Sequence, residues 1–263
     1  MPRHKISSDV RSTMTPLHLV GLFVIFLCLS PLVAAYDAIR FRGGGIYFWW
    51  QAGAAQFLLE KGEDFAQQPL YGTSAGALSA TLFASGASMQ DAATLAIDLA
   101  TEKRVWDRPA GLAGVWGEMI EDWLEELVPE DIPQESLSRL NIVVTPRRIW
   151  KGPQLINGFT SKAELIDATM ASAHIPFFLD KKPWRSYKEK KYIDGSFWQF
   201  IVKAKEKYPN EDSKLNILDV DFNDDEVFKL QLEENSSIVK LITPAGLYSM
   251  MDYGYEYMKR TIG

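Results

Sequence analysis

Two short runs of strand-forming residues end in glycine and pass directly into helical sequence, and this punctuation limits the fold more than any other feature of the chain. Residues 38–41 run into Gly43-Gly44-Gly45, after which 49–61 reads as a helix stopped by Gly62. Residues 69–71 run into Gly72-Thr73-Ser74-Ala75-Gly76, followed by a helix over 75–84 that is rich in small residues and stopped by Gly86. Strand, tight turn and helix in alternation specify a layered α/β sheet rather than a bundle or a sandwich. The same alternation continues downstream. Residues 89–105 and 112–128 read as amphipathic helices. In the second, Trp116, Met119, Ile120, Trp123, Leu124 and Leu127 recur at spacings of three and four, an apolar face for the core or for a lid. Residues 140–145 form a β-branched strand, 161–173 a helix with Ser161 as cap and Glu164 three residues on, and 191–193 a strand ending at Asp194-Gly195.

The chain has 263 residues, 47% of them hydrophobic, 24% charged and one of them cysteine, which excludes disorder and a disulfide scaffold. The first 18 residues carry Arg3, His4, Lys5 and Arg11 and lead into an uninterrupted apolar run over 19–29, then Pro31 and the small pair Val33 and Ala35. This is the pattern of a signal peptide cut after Ala35, with a retained single anchor as the alternative. Residues 1–35 are therefore expected to be a targeting segment, and 36–263 one domain, large enough to bury roughly 70% of its unfolded surface. Either membrane reading delivers that domain to the lumenal or outer side, in the secretory pathway and associated with membrane. Formal charge is −6 for the chain and −8 without Arg3, Lys5, Arg11 and Asp9, which opposes a nucleic-acid partner. Cys28 lies in the apolar run, so the domain has no thiol for a disulfide, a metal or nucleophilic catalysis.

Gly72-Thr73-Ser74-Ala75-Gly76 matches G-x-S-x-G, which sets a serine on a sharp strand-to-helix turn with its hydroxyl exposed above a helix N-terminus. A serine nucleophile needs a base. Of three histidines, His4 and His18 precede the domain and His174 comes before Asp194, so the chain order Ser, acid, His of an α/β-hydrolase triad is hard to build. Asp194, at a strand end beside Gly195, is the best candidate to take the Ser74 proton directly. The amides of Gly43, Gly44 and Gly45 can converge on an oxyanion. A nucleotide loop fits worse, because G-x-G-x-x-G fails at Phe48 and no Gly-Lys-Ser/Thr occurs.

A glycine-rich loop, G-x-S-x-G and Asp-Gly, in that order, resemble the patatin-like phospholipases, serine acyl hydrolases with a Ser–Asp dyad. The likeness extends over residues 38–260 through LNIVVTPR (140–147), FTSKAELIDATMASAHIPFFL (159–179) and MDYGYEYMK (251–259). It implies a three-layer α/β/α fold, Ser74 as nucleophile, Asp194 as base, Gly43, Gly44 and Gly45 as oxyanion hole, no cofactor, and an acyl lipid substrate at a membrane or lipid-droplet surface. Hydrolysis of glycerolipid esters is the activity implied, whether of phospholipid, galactolipid or triacylglycerol. An acyltransferase, or a catalytically silent lipid-binding protein on the same fold, is the alternative. The chain departs from the family pattern at Tyr47-Phe48-Trp49-Trp50 after the loop, which divides between acyl pocket and core, and at Ser196 after Asp-Gly. His174 is expected to be structural or to line the mouth of the site.

Three further features stand outside the motifs. DKKPWRSYKEKK (180–191) is a basic cluster in an acidic domain, so Lys181, Lys182, Trp184 and Arg185 are expected to meet anionic headgroups, against the alternative of a solvated loop. Asp219, Asp221, Asp224 and Asp225 lack the glycine and terminal glutamate of a calcium loop and read as an acidic turn, so no metal is assigned. Asn235-Ser236-Ser237 is a glycosylation sequon if the domain enters the secretory route.

Overall fold

A central strand buried on both faces reads as a continuous apolar run, and residues 38–41 meet that condition except at Arg40. The computed structural model describes residues 36–202, 215–232 and 241–263. The targeting segment over 1–35 and the Asn235 sequon lie outside them. Among the described residues seven strands form the sheet: β1 Ala38–Phe41, β2 Leu70–Thr73, β3 Leu140–Pro146, β4 Gln154–Ile156, β5 Arg185–Tyr187, β6 Lys190–Ile193 and β7 Ile217–Val220. They lie in the order β5-β6-β3-β2-β1-β7, with β4 also paired to β3. The strands β7, β1, β2 and β3 are mutually parallel, with Ile39 opposite both Leu218 and Leu70, and Leu70 opposite Leu140. Beyond them β6 turns antiparallel, Ile193 opposite Thr145. This is the expected mixed α/β architecture.

The charge inside β1 has a partner across the sheet. The Arg40 guanidinium is bonded through Nε and Nη2 to the Asp219 carboxylate on β7, which also accepts Arg42 Nη2 at 3.0 Å. Burial alone would raise the Asp219 pKa, but the two arginines outweigh it and hold the carboxyl below its ordinary range. The acidic turn is thereby largely accounted for. Asp221 caps Asn223 N at 3.0 Å, and the buried Asp225 accepts the Trp50 indole N–H at 3.0 Å and caps the short helix Glu226–Lys229.

Element boundaries follow the sequence closely where the signal is local. Helix α1 is Phe48–Glu60, α2 is Ala75–Ser85, and α3 is Met89–Glu102, shorter than the expected 89–105 because a 3-10 turn takes over at Val105–Asp107. Helix α4 begins at Trp116 rather than 112, since Gly111 and Gly114 adopt positive φ just before it. Helices α5 Gln134–Arg139, α6 Lys162–Ser172, α7 Phe197–Val202, α8 Glu226–Lys229 and α9 Pro244–Ile262 follow among the described residues. Ser161 caps α6 as expected, accepting from Glu164 N.

Helix α9 closes over α1 by backbone contact. A Cβ at Gly53 would overlap the Met251 carbonyl oxygen, and one at Gly254 would overlap the Trp50 carbonyl oxygen. Each glycine thus admits the other helix's main chain, and Trp50, fully buried, lies at the crossing. Gly53→Ala or Gly254→Ala is expected to lower stability by about 2 kcal/mol, read by urea unfolding. The double variant should cost less than the sum, because one separation of the helices accommodates both methyls.

Candidate active site

The carboxyl ends of β1 and β2 carry the two glycine-bounded turns side by side, the usual place for a ligand in an open parallel sheet. Ser74 follows β2 and precedes α2 with φ 54 and ψ −122, a left-handed backbone that a non-glycine residue adopts only under constraint. Its amide donates to Ser172 Oγ at 2.9 Å, and Ser172 Oγ donates to the Val143 carbonyl at 2.6 Å, so the end of α6 fastens the turn to β3. A Cβ at Gly76 would overlap the Phe41 carbonyl, which is why the helix can start against the end of β1.

Asp194 arrives from the antiparallel strand. Ile193 pairs with Thr145, and Gly195 lies so close to the Val143 carbonyl that a Cβ there would overlap it. The Asp194 amide donates to the His174 carbonyl at 2.8 Å and the Gly195 amide to the Ser172 carbonyl at 2.8 Å. So fixed, Asp194 Oδ2 accepts the Ser74 hydroxyl at 2.5 Å, while Oδ1 accepts the Ser196 amide at 2.8 Å. Both side chains are buried. A short O–H···O⁻ bond of this kind is among the stronger hydrogen bonds in proteins.

Gly43 abuts both Ser74 and Ser196, and Gly45, at φ 56, borders the cleft beside Ser74. A Cβ at Gly44 would come within 3.1 Å of the Phe222 ring. Among the described residues none of the three glycine amides donates a hydrogen bond. The loop is held from behind by Gln51, fully buried on α1, whose Nε2 donates to the Arg42 carbonyl at 2.6 Å and whose Oε1 accepts Ser79 Oγ at 2.9 Å. Ser196 Oγ is buried without a partner among the described residues.

The cleft above Ser74 is walled by apolar groups. Phe48 and Trp49 from α1, Trp106, Trp116 and Trp123 around α4, and Leu247 from α9 enclose it, with Phe48 and Trp123 meeting edge to face at 5.4 Å. The aromatic run therefore divides. Phe48 and Trp49 face the cleft, whereas Tyr47 stacks on Phe222 and Trp50 fills the core. The apolar stripe of α4 divides likewise, with Trp116, Met119, Ile120 and Trp123 on the cleft and Leu124 in the core.

Four residues were expected at headgroups, and only two of them stand free of the protein's interior. Lys181 and Lys182 are exposed, Lys182 lying 3.7 Å from Asp180. Trp184 is held between Arg147 and Lys191, 5.2 and 4.6 Å from its ring. Arg185 binds Glu121 at 2.7 Å and Asp167 at 2.8 Å, so its charge is matched by α4 and α6 rather than offered outward. His174 is fully buried, its Nε2 3.1 Å from the Lys182 carbonyl. Gln51 and Ser172 were not singled out in the sequence. Ser172 opens the S-x-x-x-P turn to Pro176, but nothing local marks Gln51.

A mixed α/β sheet with a serine at a strand-to-helix elbow, an aspartate bonded to its hydroxyl and a glycine loop alongside defines a serine–aspartate site of the kind found in acyl-processing proteins. Residues 40–200 match the patatin-like phospholipase family, to which this chain belongs. The likeness read from motifs ran to residue 260, so helix α9 lies beyond the match. Over 169 residues the chain is 31% identical to the human omega-hydroxyceramide transacylase, covering 61% of this chain and 30% of the relative. Over 164 residues it is 28% identical to the mouse 1-acylglycerol-3-phosphate O-acyltransferase Pnpla3, covering 60% and 38%. Over 161 residues it is 30% identical to the human patatin-like phospholipase domain-containing protein 2, covering 60% and 31%. The match thus spans about a third of the length of these relatives.

His174 gives a test of the buried site that does not depend on turnover. Burial disfavours the imidazolium and pushes the His174 pKa below the usual value, against the pull of Asp180. Below about pH 6.5 the unfolded chain then binds a proton that the folded chain refuses, so stability falls as pH falls. In His174→Gln the loss of thermal stability between pH 7.5 and 5.5 is expected to be smaller than in the parent. An equal loss would remove His174 from the acid response.

Proposed function

We propose that the protein is a lipid acyl hydrolase that cleaves glycerolipid esters through Ser74 and Asp194. One observation carries the reading: the Ser74 hydroxyl donates to Asp194 at 2.5 Å on the floor of an apolar, tryptophan-walled cleft. The cleft suits an acyl chain, since it offers little to pair with a charged or strongly hydrated substrate.

In the first half-reaction Ser74 Oγ attacks the ester carbonyl carbon as its proton passes to Asp194. The carbonyl oxygen, now an oxyanion, meets the amides of the Gly43–Gly45 loop, each such donor being worth a few kcal/mol in the transition state. Collapse breaks the bond to the alcohol, which leaves with the proton from Asp194, and the acyl group stays on Ser74. Water then gives its proton to Asp194 and attacks the acyl carbon. Breakdown of the second tetrahedral intermediate releases fatty acid and returns the proton to Ser74 Oγ. If an acceptor alcohol enters in place of water, the same steps transfer the acyl group, and the transacylase and acyltransferase names among the relatives favour keeping that second reading.

Fatty-acid release from phospholipid, galactolipid and triacylglycerol in detergent, with and without an added alcohol, separates the outcomes. Ser74→Ala and Asp194→Asn are each expected to lower turnover by at least about 10³-fold with the fold retained. Acyl product appearing on the alcohol instead of as free acid would assign transfer. Folded, lipid-binding protein with no turnover of any lipid would leave the silent lipid-binding reading.

A further inference from the structure

Cations on a folded surface are usually matched by nearby acids, and among the described residues most of the unmatched ones fall in two neighbouring stretches of chain, 147–151 and 181–191. Among the described residues nine lysines and arginines meet no carboxylate. Six of these are Arg147, Arg148, Lys151, Lys181, Lys190 and Lys191; the others, Lys61, Arg108 and Arg139, are scattered. Arg147 and Lys191 are in direct contact, Arg148 and Lys151 follow Arg147 in the chain, Lys190 precedes Lys191, and Lys181 lies on the loop just before Trp184. The Arg147 amide donates to the Lys191 carbonyl at 2.9 Å, both side chains lie over the Trp184 ring, and the loop that carries Lys181 is tied by the Phe177 amide to the Lys182 carbonyl at 2.8 Å.

Two large apolar side chains stand among these cations. Trp150 is 73% exposed and Phe177 66% exposed, Phe177 with φ 64, a backbone bulky residues rarely adopt. Ile175 and Leu179, the residues two before and two after Phe177, line the acyl cleft. One loop therefore forms the cleft wall on its inner side and presents an aromatic ring and lysines on its outer side. The chain as a whole carries a formal charge of −6, so these cations run against its overall charge.

We propose that this face, Arg147–Lys151 with Phe177, Lys181, Lys190 and Lys191, docks on an anionic lipid bilayer, Trp150 and Phe177 seating at the headgroup level and bringing the cleft wall to the membrane. The inference rests on the lipid-acyl reading of the cleft only in taking lipid rather than another polyanion as the partner. It also replaces Trp184 and Arg185, which serve internal contacts, by Trp150 and Phe177 on one hand and by Arg147, Arg148, Lys151, Lys190 and Lys191 on the other.

The test is co-sedimentation of the full chain with vesicles of phosphatidylcholine alone or with phosphatidylserine added, comparing the parent with a variant carrying Arg148→Gln, Lys151→Gln, Lys181→Gln, Lys190→Gln and Lys191→Gln. A control variant neutralises Lys61, Lys103, Arg104, Lys229 and Lys259 in the same way, and all three share the N-terminal segment. The face variant is expected to lose about tenfold or more of the affinity for phosphatidylserine vesicles and little for phosphatidylcholine. The control should keep the parent's preference, and the parent's preference should weaken with salt. Trp150→Ser with Phe177→Ser should weaken binding to both vesicles. An unchanged preference in the face variant, or an equal loss in the control, overturns the proposal, as does binding of the face to RNA without a preference among vesicles. Turnover of p-nitrophenyl butyrate by the same proteins is read separately. Its absence in the parent would defeat the hydrolase reading and leave the sedimentation result to decide the face.

Discussion

Ser74 occupies a backbone conformation that a serine would leave if its neighbours released it, and much of the surrounding structure follows from holding it there. Positive φ at a non-glycine residue costs on the order of 1–3 kcal/mol, and the restraints are visible as three separate contacts. Its amide is tied through Ser172 to β3, its hydroxyl to Asp194, and the helix it begins is pressed against the end of β1. The result is a hydroxyl fixed above the sheet at the start of a helix, with a carboxylate as its partner.

That arrangement requires main chains to approach one another more closely than side chains allow. The glycines at 76 and 195 permit it around Ser74, and those at 53 and 254 permit it where α9 crosses α1. Helix α1 in turn carries Gln51, which fixes the carbonyl just before the glycine loop, and Trp50, which is anchored by Asp225. Packing far from Ser74 thus bears on the loop beside it, and Phe48 and Trp49, just before them on the same helix, supply cleft wall.

How much of this was legible in the sequence depended on the distance over which each contact acts. The first strand lies at Ala38–Phe41 as read, because a short apolar run followed by three glycines is a local signal. The serine elbow and Asp194-Gly195 were legible for the same reason, and their meeting was what the resemblance to the patatin-like family implied. Asp219 was read as part of an acidic turn, whereas it lies in the strand Ile217–Val220, since its partner there is Arg40, 179 positions earlier. Arg185 reads as one cation of a basic loop until Glu121 and Asp167 are brought beside it by two different helices. Gln51 and the two crossing glycines leave no periodic or compositional trace, because only the partner across the fold gives them a role.

The central claim is that Ser74 carries the acyl group and Asp194 takes its proton. The most direct measurement is to treat the full chain with a long-chain fluorophosphonate and locate the covalent adduct by peptide mass spectrometry. The account predicts a single adduct on Ser74, formed far more slowly in Asp194→Asn and undiminished in Ser196→Gly. An adduct on Ser196 or another serine, or labelling of Ser74 at the same rate without the Asp194 carboxylate, would contradict it.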